Sequence, residues 1–392
     1  MKPITKEDLI EVVAGLAAII NTAGGIGGVD ASKTKPLDYI TPRWLRFDPA
    51  NKKGLIIKAG TSIKKKNGVY KDYESDTQID LSSYITDPGK DYFVILNNDN
   101  TVIASLNKIN TGIVLGRFHT LCVDAGTMNM TAPASPSSGL TSSDKYLVKS
   151  YNQDTDADFY NFYNKNIVSV TTGSQYDIVT LNHPLSGFEA GDILPESIFC
   201  TSFCPECLVE DAMVYDKDTD MAIDIYLQSG TGFNTRSAYN ANHTVSRSPL
   251  NHQEDYRMVG KKLLDDYVFT SAALGSNEKT AIYGAADATK VGGHKDTNNR
   301  RMISAIGCEE MCGYLWQWLN EIAPVGGSGW TANIDGQDSF GQHYGAPYVL
   351  QAGGRWDSSS SCGSRSRHSP SVRSFVSAGC GGRGSSRVKK YF

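Results

Sequence analysis

Apolar residues near the start of the chain fall at Leu9, Val12, Leu16 and Ile19, steps of three and four that gather them on one stripe of a helix. Thr5 followed by Asp8 makes a capping-box-like start, and the glycine cluster at 24–28 ends the run. The stripe has the spacing of a short coiled-coil seam, so 1–30 reads as a helix and hinge that either self-associates or packs on its own domain. The period then changes to two. Over 35–125 the segments "RWLRF", "GLIIKAG", "DYFVIL", "TVIASL" and "GIVLGRFHTLCV" alternate or run apolar at strand length, and Asn67-Gly68 marks a hairpin turn. A small all-β domain over 31–130 is expected. "TAPASPSSGLTSSD" at 131–144 reads as a linker or long loop ending near 150. From 151 to 392 the pattern is α+β with few helices, the clearest at 264–274. Trp316 and Trp318 in "GCEEMCGYLWQWLNE" alternate with polar positions as on a half-buried strand, with a helical reading also open.

Composition sharpens this only in places. Twenty Tyr against thirteen Phe, with thirty-eight Gly, favour turn-rich sheet structure and half-exposed aromatics over helical bundles. The chain carries a formal charge of -4, yet the part from Ala352 onward carries +7, which leaves -11 for the rest. No run of 18 apolar residues exists, so membrane insertion is not expected. "VVAGLAAII" is short, and Glu7, Asp8 and Glu11 spoil the basic flank of a secretory signal. Eight cysteines in a chain of 392 residues do not make a disulfide scaffold, which fits synthesis in a reducing cytoplasm.

Three constellations invite chemistry. Cys200, Cys204 and Cys207 in "CTSFCPEC" have the three-cysteine spacing of a radical S-adenosylmethionine cluster, but Glu206 stands where an aromatic is usual and no barrel pattern surrounds them. The same thiols with His183 would make a structural zinc set, and buried inert cysteines are the plainer reading. Cys308 and Cys312 would share a face if helical and read as core. Seven scattered histidines give no triad spacing. No cofactor is expected, and neither calcium nor zinc is called for. The closing "GGRGSSRVKKYF" resembles arginine-glycine segments that coat RNA, a reading in which the end of the chain is an unfolded tail.

Other residues carry a resemblance. "GYLWQW" looks like the "GNVWEW" element of the formylglycine-generating-enzyme type of C-type lectin fold, and "GGRW" at 353–356 looks like its later "GGSW". The stretch 260–318, through "GSNEKT", "GGHKDT" and "RRMIS", is similar to phage receptor-binding proteins of the major tropism determinant-like class, whose C-terminus is varied by a diversity-generating retroelement. With "GRFHTLCVDAG" and "HPLSGFEAGDILPESIF" the resemblance covers roughly 116–387.

The resemblance implies an α+β chain: a C-terminal C-type lectin-like domain over 151–392, preceded by the small all-β domain and an N-terminal helix used for oligomerisation or virion attachment. It implies a tail-fibre adhesin of the virion, a homotrimer beside other tail proteins, with no nucleic acid bound. Enzymatic relatives use paired cysteines after "GGSW"; here "DSSSSCG" holds Cys362 alone, so catalysis is not expected. Adenine-directed copying turns asparagine codons into serine, glycine, aspartate, histidine or tyrosine, which is close to what 353–387 contains. The expected variable face is Asp357, Ser358, Ser359, Ser360, Ser361, Ser364, Ser366, Arg367, His368, Ser371, Arg373, Ser374 and Phe375. The expected scaffold is Trp316, Trp318, Gly353, Gly354, Trp356 and Cys362. Arg365 fits either set. Small polar side chains on irregular backbone change at little folding cost, and the arginines and histidine point to an acidic host protein or glycan. A bacterial surface protein diversified in the same way, an RNA-binding tail and an enzyme are the rival readings.

Overall fold

The alternation in "DYFVIL" becomes the strand Asp91–Asn97, whose Tyr92, Val94 and Leu96 are buried. The computed structural model describes residues 43–108, 112–134, 141–142, 145–147, 164–172, 177–284, 288–332 and 342–390. The described residues all belong to one compact unit, Pro42–Phe392. The helix and hinge expected over 1–30 lie outside the described residues.

The largest sheet has nine strands. Asp91–Asn97 pairs with Val102–Ser105 and Gly112–His119; the order then runs through Phe199–Cys200 and Phe203–Pro205 to the C-terminal strand Gly384–Lys390, and on to Met221–Asp224 and Met213–Asp216. Lys262–Leu263 pairs with the C-terminal strand as well. This sheet crosses the boundary expected at 130–150, because "GIVLGRF" is glycine-bearing and buried on both faces, and it pairs with a strand from beyond that boundary. The expected small domain keeps its own three-stranded sheet (Leu45–Phe47, Gly54–Ile57, Thr77–Asp80) and the Asn67-Gly68 hairpin between Ser62–Lys64 and Tyr70–Asp72. Part of the expected linker is also a strand: Asn129–Ala134 pairs in register with Asp177–Asn182.

Two α-helices stand among the described residues. Pro249–Met258 begins at Ser248, whose hydroxyl accepts from Asn251 N, with proline in the first turn where no donor is lost. Asp266–Ala272 is shorter than the 264–274 expected, because Leu263 is taken up by a sheet and Asp265 already has extended backbone. Trp316 opens the strand Trp316–Ala332, which settles the strand reading.

Candidate functional site

The serine- and arginine-rich stretch lies on a four-stranded sheet in the order Gly363–Val372, Gln342–Gly353, Trp316–Ala332, Cys380–Gly381. Register places Trp318 opposite Gln351 and Gln317 opposite Ala352, while Gln351 pairs with His368 and Ala352 with Arg367. Alternation therefore puts Trp318 and His368 on one face and Gln317 and Arg367 on the other.

On the first face Trp318 is fully buried among Tyr256, Val259, Leu263, Val349 and Cys380, and Trp316 packs against the same cluster. His368 is exposed and lies on Trp316, ring centroids 5.2 Å apart. On the second face Gln317 Nε2 donates to Glu310 O and Met311 O at 3.1 and 3.0 Å. These bonds tie the start of the four-stranded sheet to the loop holding Cys308 and Cys312, which are buried in irregular backbone and not on a helix.

"GGRW" is fixed by its backbone. Gly353 and Gly354 have φ of +91° and +87°; a Cβ on the first would stand 2.4 Å from Met311 O, and on the second 2.8 Å from Cys362 Sγ. Trp356 packs on the largest core cluster, and its N donates to Tyr314 O at 3.1 Å. Arg355 lies over the Trp356 ring at 5.5 Å and pairs with exposed Asp357 at 2.6 Å. Cys362 is buried and its Sγ donates to Arg355 O at 3.3 Å. Burial, then the charges of Asp357 and Glu278, push this thiol up to about 11, so it stays protonated and is a poor nucleophile.

The expected display residues divide. Asp357, Ser359, Ser360 and Ser361 are exposed, the three serines forming a 3₁₀ turn, while Ser358 is half-buried with its Oγ accepting from Arg355 N at 3.2 Å. His368, Arg373, Ser374 and Phe375 are exposed, as is Arg365. The backbone of Ser371 pairs with Val349. Ser364, Ser366 and Arg367 are instead committed internally. Ser364 N and Oγ both donate to Glu278, whose carboxyl burial nevertheless raises above its usual range. Ser366 Oγ donates to Ser361 O. Arg367 pairs with Asp266, donates to Thr270 Oγ1 at 2.5 Å and to Ser364 O and Ser366 O at 3.0 Å, and lies over Phe269. Its Nε and Nη2 thus face the helix, and its Nη1 meets carbonyls of its own strand.

Within the expected range 353–387, Cys380, Arg383, Ser385 and Ser386 are at most 4% exposed and do not stand on the open face. The same burial overturns the tail reading of "GGRGSSRVKKYF", since most of that segment is the strand Gly384–Lys390 inside the largest sheet. Val372 and Val376, 44% and 52% exposed, and Tyr267, 59% exposed beside Asp266, extend the face in ways no sequence signal separates from core apolar residues.

The "CTSFCPEC" cysteines lie on the hairpin Phe199–Cys200 and Phe203–Pro205 and just after it. Cys200 and Cys207 are in a hydrophobic cluster, while Cys204 is half-buried opposite Lys389. Cys207 Sγ donates to Val209 O at 3.2 Å, and burial raises the Cys204 and Cys207 thiols. Among the described residues no three His, Cys, Asp or Glu side chains converge as a metal site.

A mostly antiparallel frame with two short helices among the described residues, carrying a serine-rich segment on its surface, is a C-type lectin-like fold. The particular likeness is to the major tropism determinant. The U1 variant superposes over 90% of this chain and 86% of its own with a TM-score of 0.60 at 22% identity, and the M1 variant over the same shares with 0.61 at 21%. A stretch of 128 residues, 32% of this chain, is 35% identical to the tail fiber receptor-binding protein of Bordetella phage BPP-1, of which it spans 33%. No family model matches the chain.

Proposed function

We propose that this protein is a phage tail-fibre receptor-binding adhesin of the virion that holds a host surface ligand on the open face 357–376. The observation that carries this reading is the contrast within one segment. Serines, arginines and one phenylalanine stand in solvent on a frame whose Gly353 and Gly354 leave no room for a Cβ and whose tryptophans pack on the core. The likeness to the BPP-1 tail fiber protein and to the tropism determinants supports it.

Within that reading the fold is the formylglycine-generating subtype without its chemistry, since the one thiol in the relevant window is buried and protonated. The exposed part of the face is the segment a retroelement diversifies. Arg365, Arg373 and His368 beside Phe375 and Val376 fit an acidic ligand with an apolar rim, such as a host outer-membrane protein or an acidic glycan. Individual sites of this kind are weak, and a trimer repeated over several fibres raises avidity by about two to four orders of magnitude.

Binding of the purified protein to host outer-membrane vesicles tests this. Arg365→Glu with Arg373→Glu should abolish binding at unchanged fold, and added salt should weaken the wild type. Equal binding by the charge-reversed protein would overturn the acidic-ligand reading.

A further inference from the structure

Away from the display face, Lys261 and Asp224 form an ion pair in which both side chains are 0% exposed, Nζ standing 2.6 Å from Oδ1. Asp224 ends the strand Met221–Asp224, and Lys261 directly precedes Lys262–Leu263. Both of these strands pair with the C-terminal strand, meeting it at Ser385. Gly384 N donates to Asp224 Oδ2 at 3.2 Å. Tyr256 packs on the same glycine so closely that a Cβ there would lie 2.5 Å from its ring and 2.6 Å from Asp224 Oδ2. The Tyr256 hydroxyl is buried and has no hydrogen-bond partner.

A pair of charges removed from water this completely is costly to keep ionised. Burial raises the Asp224 carboxyl against the pull of Lys261 and Arg383. The lysine nitrogen is held against the carboxyl group in a site that excludes water and has a backbone N–H on the second carboxyl oxygen. That is the arrangement for amide formation: nucleophile and electrophile are fixed at contact distance, and a donor meets the oxygen that gains charge.

We propose that Lys261 and Asp224 close into an amide cross-link between their side chains. The Nζ–Cγ bond forms and one Cγ–O bond breaks. The departing oxygen leaves as water with two of the three ammonium protons, and nothing is oxidised or reduced. Gly384 N–H polarises the carbonyl that remains, and the ring of Tyr256 closes the site over Gly384. The product joins the two segments that flank the C-terminal strand covalently. Under shear the load on this sheet then passes through an amide and not through hydrogen bonds alone.

Intact-mass measurement on the purified full chain tests it. The protein should be lighter than its sequence by one water, and a tryptic digest should contain a branched peptide joining the segments around 224 and 261. Lys261→Arg, which keeps the charge and lacks a nucleophilic amine, should have the full mass. Dehydration at Asp335-Gly336 also removes one water, but it would persist in Lys261→Arg and leave no branched peptide. Either that result or a wild-type protein of full mass overturns the proposal, and if the variant does not fold, the wild-type digest decides alone.

Discussion

Two stretches near the C-terminus are written with the same few residue types and meet opposite fates. Ser359–Ser361, Arg365 and Arg373 stand in solvent, while Arg383, Ser385 and Ser386 of "CGGRGSSRVKK" are at most 4% exposed. The difference lies in what the neighbouring backbone offers. Arg383 Nε donates to Gln317 Oε1 at 3.0 Å, and its terminal nitrogens donate to Asp224 O, Ile225 O and Glu309 O at 2.8, 2.5 and 2.5 Å. Those acceptors are carbonyl oxygens, so this arginine is buried by dipoles from three separate segments. Arg365 and Arg373 meet no such cage. A residue's fate here follows the acceptors that distant chain supplies, and composition alone does not report them.

The largest effect that could break this contrast comes from Arg383→Ala. It removes a charged donor from Asp224 O, Ile225 O, Glu309 O and Gln317 Oε1, of which Ile225 O keeps Glu309 N, and should cost about 3 to 5 kcal/mol. Urea unfolding should show a lower midpoint at an unchanged slope. A loss no larger than that of an exposed arginine would mean the cage contributes nothing.

Acid should attack the same buried region. His252 is fully buried against Gly382, its Nδ1 donating to Gln228 Oε1 at 2.5 Å, and burial pushes its ring down to about 4, with Asp255 pulling the other way. A histidine whose folded pKa lies below its unfolded value binds its proton more readily when unfolded. Its contribution is therefore complete above about pH 6.5 and is lost as pH falls toward 4, on the order of 3 kcal/mol. Unfolding curves across this window should show that loss in the wild type and a flatter profile in His252→Gln. Parallel profiles would exclude the histidine.

These residues also mark what the sequence could and could not disclose. Gly353, Gly354 and the tryptophans announce themselves because their roles are local: positive φ, close approach, and alternation along one strand. The helix Pro249–Met258 does not, although Pro249, His252, Asp255 and Tyr256 fall at helical spacing on its buried side. Its stripe is built from polar and cyclic residues whose burial depends on distant partners such as Gln228. The C-terminal strand is hidden for the same reason, since Asp224 and Glu309 lie far away in sequence. Within 357–376 the exposure of Ser359–Ser361 was legible, whereas the commitment of Arg367 to Asp266 and Thr270 was not.

Arg367 sharpens the contrast because it sits in the open stretch yet behaves like a smaller Arg383. Arg367→Ala should cost about 1 to 2 kcal/mol, through its lost bonds and its packing on Phe269. Arg367→Lys should recover only part of that, because a point charge cannot reproduce the fork that meets Asp266 and Thr270 together. Thermal melts of the three proteins measure both. A lysine variant as stable as wild type would reduce the interaction to net charge.

The smallest expected effect is the most demanding test, because it asks for no change in one measurement and a large change in another. Ser360 and Arg373 are exposed, and neither contributes to the core, so Ser360→Ala and Arg373→Ala should leave stability within about 0.5 kcal/mol of wild type. If 357–376 is the ligand face, the same two substitutions should weaken binding to host outer-membrane vesicles, Arg373→Ala more than Ser360→Ala because a charged donor is lost. Melting curves and vesicle binding on one preparation give both numbers. A stability loss for Arg373→Ala equal to that of Arg367→Ala would erase the division between brace and display. Unchanged binding at unchanged stability would move the ligand to another surface.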